Sequence, residues 1–226
     1  MLHALVHALA AALPDLSERP DHVGIQFGSA ALTAVRTPQA VMKLHMMSDK
    51  GLKTEGAVCI DGSDAGFYFA PASGSSKKNS WQIYFEGGGW CYDPIDCWGR
   101  SQTDLGSSDK WPSEASGGGL LSDDCDVNPD FCNFNRVYLK YCDGNSFSGD
   151  AAAPLVVTGL DGEKKSLYFR GHRILDAVLD TLTRDYSLGD AEQVLLTGCS
   201  AGGLATFLHT DYVHSRLKAV ATGLTK

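Results

Sequence analysis

Three features that mark other protein classes are missing from this 226-residue sequence. Its seven cysteines form no C-x-x-C pair, which argues against zinc-ribbon and thioredoxin-like sites. Its formal net charge is −8 and no basic stripe with interleaved aromatic residues occurs, which argues against a nucleic-acid partner. Its apolar, alanine-rich stretch over residues 1–13 is only about ten residues long and is interrupted by His7, so it is too short to span a bilayer.

The same N-terminal stretch has two competing interpretations. It fits the apolar region of a secretory signal, although no lysine or arginine precedes it. An exposed amphipathic helix or a mis-assigned start fits it equally well. We therefore predict a poorly ordered or signal-bearing segment over residues 1–41 and a single domain over residues 42–226. A composition of 43% hydrophobic and 20% charged residues is ordinary for a soluble globular protein.

The cysteines indicate an oxidising compartment. Six of them lie in the middle of the chain among loop-like residues, which predicts three disulfides and a secreted protein. These six are Cys59, Cys91, Cys97, Cys125, Cys132 and Cys142. The seventh, Cys199, directly precedes a serine in a glycine-rich motif, and we predict that it is a buried small hydrophobic residue and not a nucleophile.

The chain is organised around the motif Gly198-Cys-Ser-Ala-Gly-Gly203. The apolar run Val194–Thr197 before it predicts a buried strand, and apolar residues return after it at helical spacing. Strand, G-x-S-x-G and helix in this order are typical of the nucleophile elbow of α/β-hydrolases, where a serine hydroxyl stands clear of the sheet on a strained turn. Ser200 is the candidate nucleophile, and the amide of Ala201 faces the place where an oxyanion would form. The alternative is a glycine-rich turn without catalysis.

A second glycine cluster, Glu86-Gly-Gly-Gly-Trp-Cys91, follows the predicted strand Trp81–Phe85. Elbow hydrolases take a further oxyanion donor from a glycine-rich loop after an early strand, because successive glycine amides can turn inward and form an anion-binding nest. Alone, this run would indicate only a glycine-rich turn. Together with an elbow downstream, it predicts the second half of an oxyanion hole.

The remaining patterns place both motifs in an α/β domain. Residues 56–69 are typical of a β-hairpin, and Asn135–Tyr141 alternates like a strand. Leu167–Leu182 has the apolar spacing of a helix that packs on a sheet. The order of these elements predicts an α/β-hydrolase-like sheet with helices on both faces, incomplete at its C-terminus.

Five separated stretches share one further property, their match to a known pattern. They are Tyr84-Phe-Glu-Gly-Gly-Gly-Trp-Cys91, Asn128-Pro-Asp-Phe131 with Asn135-Arg-Val137, Tyr141-Cys-Asp-Gly-Asn-Ser-Phe-Ser-Gly-Asp150, Leu167-Tyr-Phe-Arg-Gly171 and Gly198-Cys-Ser-Ala-Gly-Gly203. In this order they resemble the pectin acetylesterase family, of which the animal Notum carboxylesterases are more distant relatives.

The resemblance implies a secreted, monomeric serine esterase of the cell wall that removes acetyl groups from pectic polysaccharide and needs neither metal nor cofactor. By the same resemblance, Ser200 is the nucleophile, and the amides of Gly88, Gly89 and Ala201 line the oxyanion hole. The resemblance also suggests the two disulfides Cys59–Cys142 and Cys91–Cys97. Cys125–Cys132 is then the pair that remains.

The chain departs from this pattern after the elbow. In elbow hydrolases an acidic residue and then a histidine follow the serine, and in this family both lie well beyond the elbow helix, whereas the present sequence ends at Lys226. We assign no catalytic histidine or aspartate, because a solvated or hydrogen-bonded side chain is the better interpretation of Asp211 and of every histidine. The histidines are His3, His7, His22, His45, His172, His209 and His214. We expect a fragment of a longer protein or a truncated copy, with little or no turnover by itself.

Two other functions are consistent with the sequence. One is a pseudoenzyme that binds acylated glycan near Trp90 and Trp98 without hydrolysing it. The other is a Notum-like activity on a lipid acyl ester attached to protein, which would require a deep apolar pocket. The E-G-G-G-W-C and D-G-N-S-F-S-G-D stretches match the pectin-type pattern more closely and favour acetate.

Overall fold

The computed structural model describes residues 41–48 and 56–225. The predicted N-terminal segment 1–41 lies outside the described residues except for its last position, and so does the apolar stretch 1–13. Three of the histidines considered above, His3, His7 and His22, lie outside them as well.

The described residues form a mixed sheet, a separate β-hairpin and three α-helices. In chain order the elements are β1 (Val41–Met46), β2 (Gly66–Ala70), β3 (Ser80–Phe85), α1 (Pro94–Arg100), β4 (Glu114–Ser116), β5 (Asn135–Leu139), β6 (Leu155–Thr158), β7 (Lys164–Leu167), α2 (Gly171–Asp185), β8 (Gln193–Gly198) and α3 (Ala201–Val220). The sheet has the strand order β4-β1-β2-β5-β3-β8, and β6 pairs with β7. The three strands predicted around the two motifs are therefore present as β3, β5 and β8.

Three parallel strands bring the loops of interest together. β3 pairs in parallel with both β5 and β8, and Phe85 is aligned with Leu139 on one side and with Gly198 on the other. Each of these residues is the last of its strand. Because the carboxyl ends of the three strands coincide, the loops that follow them emerge at the same edge of the sheet.

Both long helices pack on one face of the sheet. Alternate strand residues and the inner faces of α2 and α3 share a single core, which includes Ile83, Phe85, Val137, Leu139, Ile174, Val178, Leu182, Ala205, Val213 and Leu217. Tyr212 of α3 donates a hydrogen bond to Asp176 of α2, and Arg216 also donates to Asp176 at 2.8 Å. α2 begins at Gly171, later than the predicted Leu167, because Leu167 is the last residue of β7.

The opposite face of the sheet differs from the expectation of helices on both sides. In the described part of the chain it carries Tyr68, Tyr84 and Tyr138 on neighbouring strands, with a small apolar cluster around Met42 and Leu121. Part of this face is covered by residues of the largely irregular segment between α1 and β5. From this segment, the carbonyl oxygen of Pro112 accepts a hydrogen bond from the Tyr68 hydroxyl at 2.7 Å. The glycine- and serine-rich composition of that segment favours loop over helix.

The hairpin predicted over residues 56–69 is present only in part. Its two arms form one isolated antiparallel bridge, between Val58 and Asp64. The reason is that β2 pairs with β1 and β5 instead of with its own neighbour in sequence.

Three disulfides fix the loops around the sheet. They are Cys59–Cys142, Cys91–Cys97 and Cys125–Cys132, the pairs named in the sequence analysis. The first joins two cysteines that are both fully buried, close to the end of β5. The second ties the loop after β3 to α1.

The last strand of the described sheet is β8, and each of its residues is half-buried. Beside it, the first half of α3 exposes three apolar side chains, Leu204, Phe207 and Leu208, and Phe207 is 88% exposed. Across residues 41–48 and 56–225, no helix combines the length and the apolar character that crossing a membrane would require.

Candidate active site

Ser200 occupies a sharp turn between β8 and α3. Its backbone angles are φ 56° and ψ −122°, which are unusual for a residue with a side chain. The residue is exposed, and its side chain does not cap α3. A strained backbone that presents an exposed hydroxyl at the carboxyl end of a parallel strand matches the geometry predicted for a nucleophile elbow.

The flanking glycines are required by backbone contacts. A Cβ atom on Gly198 would collide with the carbonyl oxygen of Gly202, and a Cβ atom on Gly202 would collide with the carbonyl oxygen of Phe85. The second contact sets the first turn of α3 directly against the end of β3. The spacing G-x-S-x-G therefore follows from how closely strand, turn and helix approach one another.

The prediction that Cys199 is buried was wrong. The structure places it as a free and exposed cysteine next to Ser200. The reason is topological, because β8 is the outermost strand of the described sheet and its end has no neighbouring strand on one side.

The glycine-rich loop after β3 lies against the serine. A Cβ atom on Gly87 would collide with the carbonyl oxygen of Cys199 and would stand 3.2 Å from the Cβ of Ser200. Gly88 and Gly89 have φ values of 148° and 70°, which favour glycine. The structure thus brings the two glycine clusters into contact at position 200.

Three amides near this contact have no acceptor among residues 41–48 and 56–225. The N–H groups of Gly88, Gly89 and Ala201 donate to no described residue. Ala201 is the first residue of α3, so its amide is one of those that a helix leaves unpaired at its N-terminus. Unpaired backbone donors beside an exposed hydroxyl are the groups that an oxyanion hole requires.

The carbonyl oxygens of the glycine loop are held by two side chains that the sequence did not single out. Arg100 Nη1 donates to Gly88 O at 2.9 Å, and the Tyr141 hydroxyl donates to Gly89 O at 2.8 Å. In a trans peptide the C=O and the next N–H point in opposite directions. Arg100 therefore fixes the direction of the Gly89 amide. Burial raises the pKa of Tyr141 to about 12, so its hydroxyl stays protonated and able to donate.

Glu86 anchors the start of the same loop. Its carboxylate accepts from Tyr138 OH at 2.8 Å, from Lys140 Nζ at 2.7 Å and from the Tyr141 amide at 2.8 Å. Lys140 and Glu86 also form an ion pair in which both side chains are largely buried. These bonds join the loop after β3 to the end of β5. Many lipases carry a histidine before the glycines, at the position that Glu86 occupies here.

The loop after β5 is built around the buried carboxyl group of Asp143. This group accepts from the Asn145 amide at 3.2 Å and from the Phe147 amide at 3.1 Å. Burial is the largest influence on it and raises its pKa from 3.8 to about 6, against the smaller opposing effect of the amide bonds.

We expect the ionisation of Asp143 to make the free energy of unfolding depend on pH. Because its pKa is higher in the folded chain, the folded state holds the proton more tightly, and the contribution of the group to stability is complete below 3.8 and is lost as pH rises through about 6. The loss amounts to about 3 kcal/mol. Urea unfolding of the wild type and Asp143→Asn between about pH 4 and about pH 7 should show this decline only in the wild type. Parallel pH profiles would contradict it.

None of the described histidines contacts Ser200. His209 is buried and Nε2 lies 2.9 Å from the carbonyl oxygen of Ser146, His172 faces Asp176 at 3.4 Å, and His45 bonds to the Tyr186 hydroxyl at 2.8 Å. His214 is exposed on α3. Within the described residues, no group of three or more His, Cys, Asp or Glu side chains could hold a metal ion.

Comparisons with known proteins find similarity to carboxylic ester hydrolases. The family model described as Pectinacetylesterase matches residues 35–223. Pectin acetylesterase 4 of Arabidopsis thaliana is 44% identical over 182 residues, which are 80% of this chain and 42% of that protein. Palmitoleoyl-protein carboxylesterase NOTUM of Homo sapiens is 32% identical over 179 residues, 78% of this chain and 33% of that protein.

A solved structure of the Wnt deacylase Notum from Drosophila has the same fold. It superimposes with a TM-score of 0.68 at 30% identity and covers 80% of this chain and 50% of that chain. The likeness confirms the predicted α/β-hydrolase-like fold. Pectin acetylesterase 5 of Arabidopsis thaliana is 42% identical over 181 residues, which make up 40% of its length. The matched residues thus span at most half the length of these relatives.

Proposed function

The chain belongs to the pectinacetylesterase family, and from this premise we propose that it carries the nucleophile and the oxyanion donors of a serine carboxylesterase. Ser200 is the proposed nucleophile. The amides of Gly88, Gly89 and Ala201 are the proposed donors to the oxyanion. The observation that supports this proposal is the close approach of Gly87 to Cys199 and Ser200, directly before Gly88 and Gly89, whose amides donate to no described residue.

The proposed chemistry is acyl transfer in two steps. Ser200 Oγ loses its proton to a general base and attacks the ester carbonyl carbon, and the backbone amides stabilise the negative oxygen that forms. The tetrahedral intermediate then breaks the bond to the alcohol oxygen, and the alcohol leaves with a proton. Water hydrolyses the resulting acyl-enzyme. Each amide donor contributes about 3 kcal/mol to the stabilisation of the oxyanion.

Acetyl esters of pectic polysaccharide are the proposed substrate. Support comes from the plant pectin acetylesterases, which are 42% and 44% identical to this chain, against 38% for the palmitoleoyl-protein carboxylesterase NOTUM of Schmidtea mediterranea. We also propose an extracellular location, which three disulfides support. A polysaccharide substrate in the cell wall would be met there.

The test is covalent capture of the acyl group. No described histidine reaches Ser200 as a base, so in a mildly alkaline buffer the Ser200 proton passes to solvent base. We expect 4-nitrophenyl acetate, whose leaving group departs easily, to acetylate the purified 226-residue chain slowly and once. The acetyl-enzyme should then accumulate, because its hydrolysis also lacks a base. Intact-protein mass spectrometry and peptide mapping should find one acetyl group on Ser200, with little steady release of acetate. Sustained turnover abolished by Ser200→Ala would contradict the expectation of a missing base.

The exposed thiol of Cys199 requires a matched control, because a free cysteine next to the serine can also be acetylated. We therefore expect Cys199→Ala to keep the adduct and Ser200→Ala to lose it. An adduct that survives Ser200→Ala and disappears in Cys199→Ala would overturn the assignment of the nucleophile.

The substrate is tested with the same readout. Acetylated oligogalacturonide should compete with 4-nitrophenyl acetate for Ser200, and the deacetylated oligomer should compete less. Faster acylation by an octanoyl ester than by an acetyl ester would favour lipid deacylation instead. Equal glycan binding by the wild type and Ser200→Ala, without any adduct, would favour a pseudoenzyme.

A further inference from the structure

Ser146 contacts both elements that carry the proposed oxyanion donors. It lies in the loop after β5 and is 1% exposed. Its hydroxyl donates to the carbonyl oxygen of Ala201 at 2.8 Å and accepts from Trp90 Nε1 at 2.8 Å. Ala201 begins α3, and Trp90 directly follows the glycine cluster, so a single hydroxyl links the two.

The backbone of Ser146 extends the same connection. Its amide donates to the Tyr141 hydroxyl at 3.1 Å, and that hydroxyl in turn donates to Gly89 O. Its carbonyl oxygen lies 2.9 Å from His209 Nε2. Because a carbonyl oxygen can only accept, Nε2 carries the proton. Burial lowers the pKa of His209, which favours the neutral ring in this bond.

The conformation of this loop is costly for its residues. Ser146 and Phe147 have φ values of 51° and 60°, so two consecutive residues with side chains adopt the left-handed region. Such a conformation persists only where the surrounding structure holds it in place, and it is concentrated at functional sites. Here the buried carboxyl group of Asp143 holds the Phe147 amide.

We propose that Ser146 is a positioning residue that keeps the amides of Gly89 and Ala201 at a fixed separation. The inference rests on the proposed function, because it concerns the same oxyanion donors. Without the hydroxyl, Trp90 Nε1 and the Ala201 carbonyl lose their common partner, and the glycine loop and α3 can move apart. A displacement of about 1 Å in a reacting geometry can cost about a hundredfold in rate.

Two variants separate positioning from mere stability. Ser146→Ala removes the hydroxyl and keeps the strained backbone, whereas Ser146→Gly removes both. We expect both to lower the maximal acetylation rate constant of Ser200 about tenfold to a hundredfold, at an unchanged half-saturating ester concentration. Ser146→Gly should nevertheless be the more thermally stable of the two. If Ser146→Gly were both more stable than Ser146→Ala and acetylated at the wild-type rate, loss of stability would explain the effect of Ser146→Ala, and the proposal would be overturned.

Ser148→Ala is the matched control, because Ser148 is exposed in the same loop and its hydroxyl donates only to Ser146 O at 3.3 Å, with His209 Nε2 at 3.5 Å. A second readout does not depend on acylation. In amide NMR spectra, Ser146→Ala should shift the resonances of both Gly89 and Ala201, and Ser148→Ala should shift neither.

The two readouts distinguish the two proposals. A wild type that is never acetylated at Ser200 would refute the proposed function, and the paired amide shifts would still decide the role of Ser146. A shift confined to one of the two amides, or acetylation of Ser146→Ala at the wild-type rate, would overturn the role of Ser146 alone.

Discussion

Gly87→Ala is expected to slow the acetylation of Ser200 severely in a chain that still folds. The added Cβ would collide with the carbonyl oxygen of Cys199 and stand 3.2 Å from the Cβ of Ser200. Both obstacles belong to the backbone or to the first atom of a side chain, so neither can rotate away. The glycine loop and the elbow must separate, and we expect the acetylation rate constant to fall by about a hundredfold or more.

Gly99→Ala is the control for this substitution. Gly99 lies inside α1, and apart from its chain neighbours and the nearby backbone of that helix no heavy atom lies within 4 Å of the position that its Cβ would take. Alanine there should leave acetylation unchanged and add up to about 1 kcal/mol to the stability of the fold. Intact-protein mass spectrometry gives the rate and thermal circular dichroism the stability. A folded Gly87→Ala protein that is acetylated at the wild-type rate would refute the proposed contact.

Removal of the Cys59–Cys142 disulfide is expected to be the most destabilising change in the described chain. The bond closes a loop with a sequence separation of 83, so the loop-closure model assigns it about 4.5 kcal/mol of the free energy of unfolding. Both cysteines are fully buried, and Asp143 follows Cys142 directly. Denaturant unfolding of the double variant Cys59→Ala/Cys142→Ala would measure the loss.

The Cys125–Cys132 bond supplies the comparison. Its sequence separation is only 7, and the same model assigns it about 2.4 kcal/mol. The double variant Cys125→Ala/Cys132→Ala should therefore lose about half as much stability. Equal losses for the two pairs would show that loop length does not govern these bonds.

The elbow could be predicted because its requirements are local. Gly198 and Gly202 must lack a side chain because the strand, the turn and the helix meet within a few residues of sequence. The same holds for Val194–Thr197, whose apolar run indicates a buried strand without knowledge of its neighbours. The strand order was not accessible in this way, and the exposure of Cys199 depends on β8 being outermost.

The residues that hold the site together were missed for the opposite reason. Glu86 and the Tyr141 amide are 55 positions apart in sequence, and so are Ser146 and Ala201. No period or motif connects such pairs, because only the alignment of the strand ends brings them into contact. The one signal in the sequence was the loop Tyr141–Asp150, which served only as a mark of family resemblance.

The positions of two disulfides imply an order of events in the maturation of the molecule. Cys91 follows the glycine cluster at once, and Cys142 immediately precedes the strained loop that contains Ser146. A chain whose thiols are reduced has neither loop fastened, so we expect both bonds to form before the amides of the proposed oxyanion hole reach their final positions. The proposed chemistry would thereby depend on oxidation of the two bonds, which links it to the extracellular location proposed above.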